Sequence, residues 1–271
     1  MLRERRKTFK GQTLLYVVLL AVTISAMVML SHCDRPVEPA SHRPSGGDTL
    51  DIAIEYSPVT YYSYGDTLEG YDYDLLRLIA HREKLPIKFH PIVTLERGLK
   101  GLNDSTYDVL VAQFPVTAQG RQHYLFTQPI YLDKQVLVQR ATTGVKRQFQ
   151  LAGDTVWVVK GSPMKERIEG LSREMGDTIH VMTDSVHGAE QLLMRVAAGE
   201  IKFAIVNRSI ARAMAQRLNG LDTSVDISLS QFQAWVLRKD NRALCDSLNT
   251  WLDHLKADAA VYDSLTKRYF E

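Results

Sequence analysis

Three short segments of this chain concentrate side chains suited to recognising small polar molecules, and a fourth sets acids at a helix start. Arg121 closes the polar turn Thr117-Ala118-Gln119-Gly120-Arg121, which follows the β-branched run Asp108–Phe114. A guanidinium is planar and permanently charged and offers two parallel donors to a carboxylate. The Thr117 hydroxyl can bond the same group. The plainer readings are a solvent-facing arginine, like Arg140, and a helix cap at Thr117. Tyr56-Ser57-Pro58-Val59-Thr60-Tyr61-Tyr62-Ser63-Tyr64 places four tyrosines in nine residues. Tyrosine joins apolar area to a hydroxyl, as the wall of a binding cleft requires. Tyr56 and Tyr61 are the candidates, and the alternative is that the rings pack the loop. Lys160-Gly161-Ser162-Pro163 ends one apolar run and opens a helical pattern. The free N–H groups at such a start attract anions, and Ser162 can add its hydroxyl; an ordinary cap with proline in the first helical turn fits equally. Gly70-Tyr71-Asp72-Tyr73-Asp74-Leu75 sets two acids at a helix start, where they cap N–H groups and complement the dipole.

Other chemistry leaves no trace. The sequence contains no HExxH, Walker loop, GxGxxG or GxSxG, and its eight histidines are scattered without metal-ligand spacing. Neither a metal nor an organic cofactor is expected. Cys33 and Cys245 are the two cysteines. Cys245 lies on a helical stripe as a small buried hydrophobe.

The elements that must hold these residues alternate. Strands are expected at Leu50–Glu55, Ile87–Ile92, Asp108–Phe114, Gln135–Gln139, Thr155–Val159, Ile179–Met182, Phe203–Val206 and Ala234–Leu237. Helices are expected at Asp72–Lys84 and Ser185–Ala198. Such alternation builds open α/β sheets flanked by helices, whose ligands gather at the carboxyl ends of the strands. The texture changes around Arg140–Asp154 and again after Asn219–Ser224. At 271 residues, 45% hydrophobic and 24% charged, the chain has room for two lobes.

The N-terminus differs. Arg3, Arg5, Arg6, Lys7 and Lys10 precede Leu14–Leu30, seventeen residues without charge. That length falls between a cleavable signal and a membrane span. Asp34–Asp48, with three prolines and two glycines, reads as a tether. Setting aside five basic residues and one acid among the first 33 leaves 28 basic and 30 acidic side chains, so the formal +2 becomes about −2. No basic stripe remains to bind nucleic acid.

The segment Gly70–Leu75, then Tyr107-Asp108 through Arg121, then Phe126-Thr127-Gln128-Pro129-Ile130-Tyr131, resembles the first lobe of the family 3 bacterial solute-binding proteins. The resemblance implies a two-lobed periplasmic-binding-protein type II fold: α/β, each lobe a mixed open sheet flanked by helices, with two hinge-strand crossings. Lobe one would be 49–134 plus 239–271, lobe two 142–230, and the crossings 134–141 and 230–239. In the family an arginine in a Thr-x-x-Arg turn grips the ligand's α-carboxylate; here Gly120 stands as one extra residue before Arg121. The family lays an aromatic of the first loop over the ligand, which points to Tyr61 and Tyr56. It sets a Gly-Ser or Gly-Thr against the carboxylate, which points to Ser162. The pattern Gly199–Asn207 ends in the family on an aspartate that holds the α-ammonium. Asn207 takes that place here, or serves as a plain helix cap, and moves the expected ligand from a free amino acid toward an amide-linked, acylated or larger one. Gln113 completes the candidate set. Leu30-Ser31-His32-Cys33 resembles a lipoprotein box, with His32 where Gly or Ala is usual, and implies lipid attachment at Cys33 or an uncleaved helix.

A narrower likeness lies in Gly161-Ser162, Asp184-Ser185, Glu190-Gln191-Leu192-Leu193, Val196–Ile201 and Lys267-Arg268-Tyr269-Phe270. These are similar to the binding domain of the membrane-bound lytic murein transglycosylase F group. There it precedes a lysozyme-like catalytic domain, and the expectation for this chain, which stops at Glu271, is the binding domain alone. Together these imply a non-enzymatic, membrane-tethered periplasmic binder. Its ligand would be an amino-acid derivative, short peptide or muropeptide, and its partner a transporter's membrane subunits or a cell-wall enzyme. Two alternatives stand beside it. One is an enzyme resembling cyclohexadienyl dehydratases, which needs an acid or base in the cleft; the other is a ligand-free interaction module, whose cleft tyrosines would fill.

Overall fold

The computed structural model describes residues 49–270 and, before them, Leu19, Leu20 and Thr23. The expected anchor, Cys33 and the tether Asp34–Asp48 lie outside the described residues. Among the described residues no helix is long and apolar enough to cross a membrane.

Two five-stranded sheets carry the fold, beside a small hairpin of β2 (Tyr62–Tyr64) and β3 (Thr67–Glu69). The first has the order β4-β1-β5-β14-β6, from β1 (Leu50–Glu55), β4 (Ile87–Ile92), β5 (Val109–Val111), β6 (Tyr124–Phe126) and β14 (Val236–Arg238). β1 pairs in parallel with β4 and β5, whereas β14 runs antiparallel to β5 and β6. The second has the order β10-β9-β11-β8-β12, from β8 (Gln135–Arg140), β9 (Thr155–Val159), β10 (His180–Asp184), β11 (Phe203–Asn207) and β12 (Leu221–Asp226). Here β9, β10 and β11 are parallel and β8 is antiparallel to its neighbours. Between the sheets the chain crosses twice, as the antiparallel pair β7 (Tyr131–Asp133) and β13 (Gln231–Gln233). Gln135–Arg140, read from sequence as part of a crossing, is an inner strand of the second sheet. Its Val136, Leu137 and Val138 are fully buried on the two faces of that sheet.

The sequence pattern explains most elements. Helix α1 (Tyr71–Glu83) buries Leu75, Leu76 and Ile79 against the first sheet. The C-terminal helices α7 (Arg242–Lys256) and α8 (Ala259–Phe270) return to the same core through Leu248, Leu252 and Leu265. Cys245 is buried there, as its stripe predicts. In the second lobe α4 (Met164–Met175) covers one sheet face with Ile168 and Leu171. Helices α5 (Ala189–Ala198) and α6 (Arg208–Ala215) cover the other, with Leu192, Leu193 and Val196 from α5 and Ile210 and Met214 from α6.

Two boundaries moved for local reasons, and one expected cap is absent. The expected strand Asp108–Phe114 shortens because the Gln113 N–H donates to the Glu55 carboxylate at 3.0 Å instead of to a ladder partner. The helix expected from Ser185 starts at Ala189 because Asp184 Oδ1 accepts the N–H groups of Val186 and His187, holding a turn. Neither acid of the α1 start caps it. Asp72 Oδ1 accepts the Trp235 indole N–H at 2.8 Å, and Asp74 Oδ2 accepts the Tyr269 hydroxyl at 2.7 Å. Gly70 holds the entry at φ 142°, where a Cβ would stand 2.3 Å from the Thr60 carbonyl oxygen. Only glycine fits there.

Candidate functional site

The lobes meet at the carboxyl ends of their parallel strands. β1 ends on Glu55, β5 leads to Gln113, β9 leads through Lys160 and Gly161 to Ser162, and β11 ends on Asn207. Glu55, Gln113, Ser162 and Asn207 line one inter-lobe cavity of about 20 Å³, whose other walls include Leu95, Val159, Met164 and Ile210. Helix α2 (Leu95–Asn103) contributes its first residue from lobe one.

Polar contacts stitch the lobes across this seam. Gln113 Nε2 donates to Ser209 Oγ at 2.8 Å, and Asn207 Nδ2 donates to the Gln113 carbonyl at 3.3 Å. Lys160 Nζ meets Glu96 Oε1 at 2.7 Å on the cavity's outer side. Ser209 in turn bonds Asp133 of the hinge strand β7, so hinge and cavity share one network.

Two buried carboxyls dominate the electrostatics. Desolvation raises Glu55 to about 7, opposed only by the Gln113 N–H. Burial likewise raises Asp72 to about 7, with the Trp235 indole opposing and the Glu55 charge adding to the rise. Burial also pushes the Tyr131 hydroxyl up, helped by Asp72, Asp133 and Glu55. A carboxyl without a cation beside it prefers its neutral form in such a setting.

Of the residues singled out from sequence, the structure brings Gln113, Ser162 and Asn207 together and leaves the others apart. Arg121 is exposed on α3 (Ala118–His123) and lines no part of the cavity; its carbonyl accepts the Lys239 ammonium. The glycine inserted before it occupies the inward position, since a Cβ on Gly120 would lie 2.9 Å from the Phe126 ring. Thr117 is the N-cap of α3, its Oγ1 accepting the Gly120 N–H at 2.9 Å. Thr117→Ala should therefore cost about 1 kcal/mol of stability and leave ligand affinity unchanged, which denaturant melts and a binding titration would check. Tyr61 is buried in the lobe-one core, edge-on to Tyr56 and Tyr73. Neither Tyr61 nor Tyr56 reaches the cavity. Ser162 does not cap α4, where Pro163 takes the cap position; its hydroxyl donates to the Val159 carbonyl at 2.6 Å. Asn207 sits at the cap position of α6 but turns its amide across the seam instead.

Glu55 was not singled out from sequence. Its signal was an acid closing the apolar run Ile52-Ala53-Ile54 at a strand's carboxyl end. Among the described residues no cluster of three or more His, Cys, Asp or Glu side chains could hold a metal.

Two open α/β sheets with a double crossing between them define the two-lobed periplasmic-binding-protein type II fold. Residues 49–271 match the model of the bacterial extracellular solute-binding proteins, family 3, and the chain belongs to that family. It is similar to an ancestral arginine-binding protein bound to arginine, with 21% identity and a TM-score of 0.73, over 83% of this chain and 99% of that one. A second similar structure, from work on glutathione import via GshT of Streptococcus mutans, gives 18% identity and a TM-score of 0.72, over 83% and 95%. Among curated proteins it is similar to membrane-bound lytic murein transglycosylase F of Shewanella pealeana, 23% identical over 259 residues, and of Shewanella oneidensis, 24% over 247. Those alignments cover 95% and 90% of this chain but 52% and 51% of the relatives, so the chain spans about half their length.

Proposed function

We propose that this chain is a membrane-tethered periplasmic binding protein that closes its two lobes on a small polar ligand and passes the closure on to a partner. The ligand would be an amino-acid derivative, a short peptide or a muropeptide, and the partner a transporter's membrane subunits or a cell-wall enzyme. The observation that carries this reading is the seam itself. Four polar residues, two from each lobe, line one cavity at the strand ends, where α/β sheets take their ligands. No tyrosine lines that cavity, which speaks against an interaction module with a ring-filled cleft. Glu55, Gln113, Ser162 and Asn207 form the proposed contact set. Ligand contacts made to both lobes at once favour the closed state by their differential affinity. Tethering rests on the basic, apolar N-terminal segment and on the membrane-bound relatives.

Thermal unfolding of the full chain in mild detergent, against amino acids, their acylated derivatives, dipeptides and muropeptides, tests the reading. A ligand held only by the folded state, at about 100 times its dissociation constant, should add about 2.7 kcal/mol. Arg121→Ala should retain the full ligand-induced shift, because its side chain lies outside the cavity. Absence of a shift with any class would count against a ligand-binding role.

A further inference from the structure

The two five-stranded sheets have four edge strands, and three of those edges are guarded. β4 carries Lys88 and Pro91, β6 is only three residues long, and β12 is broken by a bulge between Asp222 and Val225. These are devices that keep an edge from pairing with another chain. β10, His180-Val181-Met182-Thr183-Asp184, has none of them. It contains no lysine, arginine or proline, and its register with β9 runs unbroken over all five residues.

The backbone groups of this edge have fixed directions. The His180 N–H donates to the Asp154 carbonyl, and the Asp184 carbonyl accepts the Lys160 N–H, so the even-numbered residues bond on the β9 side. By alternation the N–H and C=O groups of Val181 and Thr183 point away from β9, and no described strand lies beyond them. The side chains alternate too. Val181 packs with Ile168 and Leu171 of α4, so His180, Met182 and Asp184 lie on the opposite face, which α5 covers. Met182, in register with Trp157, is 46% exposed there. Trp157 also lines an open groove with Val186 and Met194, which are 70% and 52% exposed. An unguarded edge with an apolar flank is suited to strand addition.

The sequence of β10 matches itself. Run antiparallel about Met182, it sets His180 opposite Asp184, Val181 opposite Thr183, and Met182 opposite Met182. The outward groups of Val181 and Thr183 then form two hydrogen-bonded pairs, with the methionines as the non-hydrogen-bonded pair between them. Two β-branched side chains meet in each flanking pair. Each His180 arrives at the other copy's groove, where two acids, Asp184 and Glu200, stand against one arginine, Arg195. We propose that β10 is the docking edge for a second copy of this chain, joining the two lobe-two sheets into one of ten strands about a twofold axis at Met182. None of the paired residues lines the inter-lobe cavity, so dimerisation and ligand binding are tested separately.

Sedimentation velocity of the full chain in mild detergent should show a dimer that dissociates on dilution. Met182→Glu alters an exposed side chain and sets like charges against each other at the axis, and it should raise the dissociation constant roughly 10-fold. In a Cys33→Ser, Cys245→Ser background, Met182→Cys should form a disulfide-linked dimer on mild oxidation. Cα atoms of a non-hydrogen-bonded pair stand about 4.5 Å apart, within the range a disulfide spans. Thr183→Cys in the same background should crosslink roughly 10-fold more slowly, because its opposite residue is Val181 and the two introduced thiols lie out of reach. A full chain that stays monomeric overturns the proposal. So does a Met182→Glu variant that dimerises like the parent chain, which would place the contact elsewhere. Crosslinking of Thr183→Cys as fast as Met182→Cys would overturn the register and the twofold pairing with it. If Met182→Cys crosslinks in whole cells to a different protein and never to itself, the edge belongs to that protein's strand and the second copy is excluded.

Discussion

Glu55→Gln should raise the stability of the protein at pH 8 and flatten its loss of stability above pH 5. Burial moves the Glu55 carboxyl from its ordinary 4.5 to about 7 in the folded chain. A group whose folded value lies above its unfolded one contributes stability that is whole below about pH 4.5. That contribution is lost as pH rises through about 7. The shift of roughly 2.5 pH units corresponds to about 3 kcal/mol between those limits. Glutamine removes the charge and keeps an oxygen to accept the Gln113 N–H, so most of that difference should be regained at pH 8. For a chain of this size it means a rise in Tm of ~5 °C or more. Asp72 titrates in the same direction and stays in place, so a residual slope should persist. Thermal melts of both proteins from pH 4 to 8 measure the effect. Parallel curves would mean that Glu55 titrates as an exposed carboxyl.

Gly161→Ala should hold the lobes apart. A Cβ at Gly161 would stand 2.8 Å from the Glu96 nitrogen and 3.1 Å from its Cα. Both are backbone atoms at the start of α2 in the opposite lobe, which cannot swing aside as a flexible side chain would. Relief comes only by rotating one lobe away, so the closed population falls, and apparent affinity falls in proportion. A loss of 30- to 100-fold is expected, with both lobes still folded. Gly161 also has φ +84°, and alanine there costs on the order of 1 kcal/mol locally. Gly153→Ala separates the two effects, because that glycine has φ +75° with nothing within 4 Å of an added Cβ. Equal affinity losses for the two variants would assign the effect to backbone strain and not to the seam.

Much of the frame was legible from sequence because it is local. Leu50–Glu55, Ile87–Ile92 and Thr155–Val159 form strands with the expected ends, since β-branched runs bounded by turns determine them. The site was less legible. Arg121 and Gly120 differ by one position, but one residue rotates a helical side chain by about 100°. In α3 that step separates an exposed arginine from a glycine packed on Phe126. The weight of Glu55 was hidden for another reason. An acid at a strand end is commonplace until another lobe buries it, and Val159, Met164 and Ile210 come from sequence 104 to 155 positions away. Asn207 shows both sides. Its place at the end of β11 was readable, whereas its bond to the Gln113 carbonyl depends on closure of the lobes.

Closure of the two lobes on a ligand at the Glu55–Asn207 seam should be visible as a change in inter-lobe distance. Spin labels at Arg97→Cys on α2 and Glu166→Cys on α4, both exposed, in a Cys33→Ser, Cys245→Ser background, report it by electron dipolar spectroscopy. With a stabilising ligand bound, one narrow, short distance is predicted. Without it a longer component should appear, and Gly161→Ala should favour that longer component throughout. A single distance that neither a ligand nor Gly161→Ala alters would show that the lobes do not close.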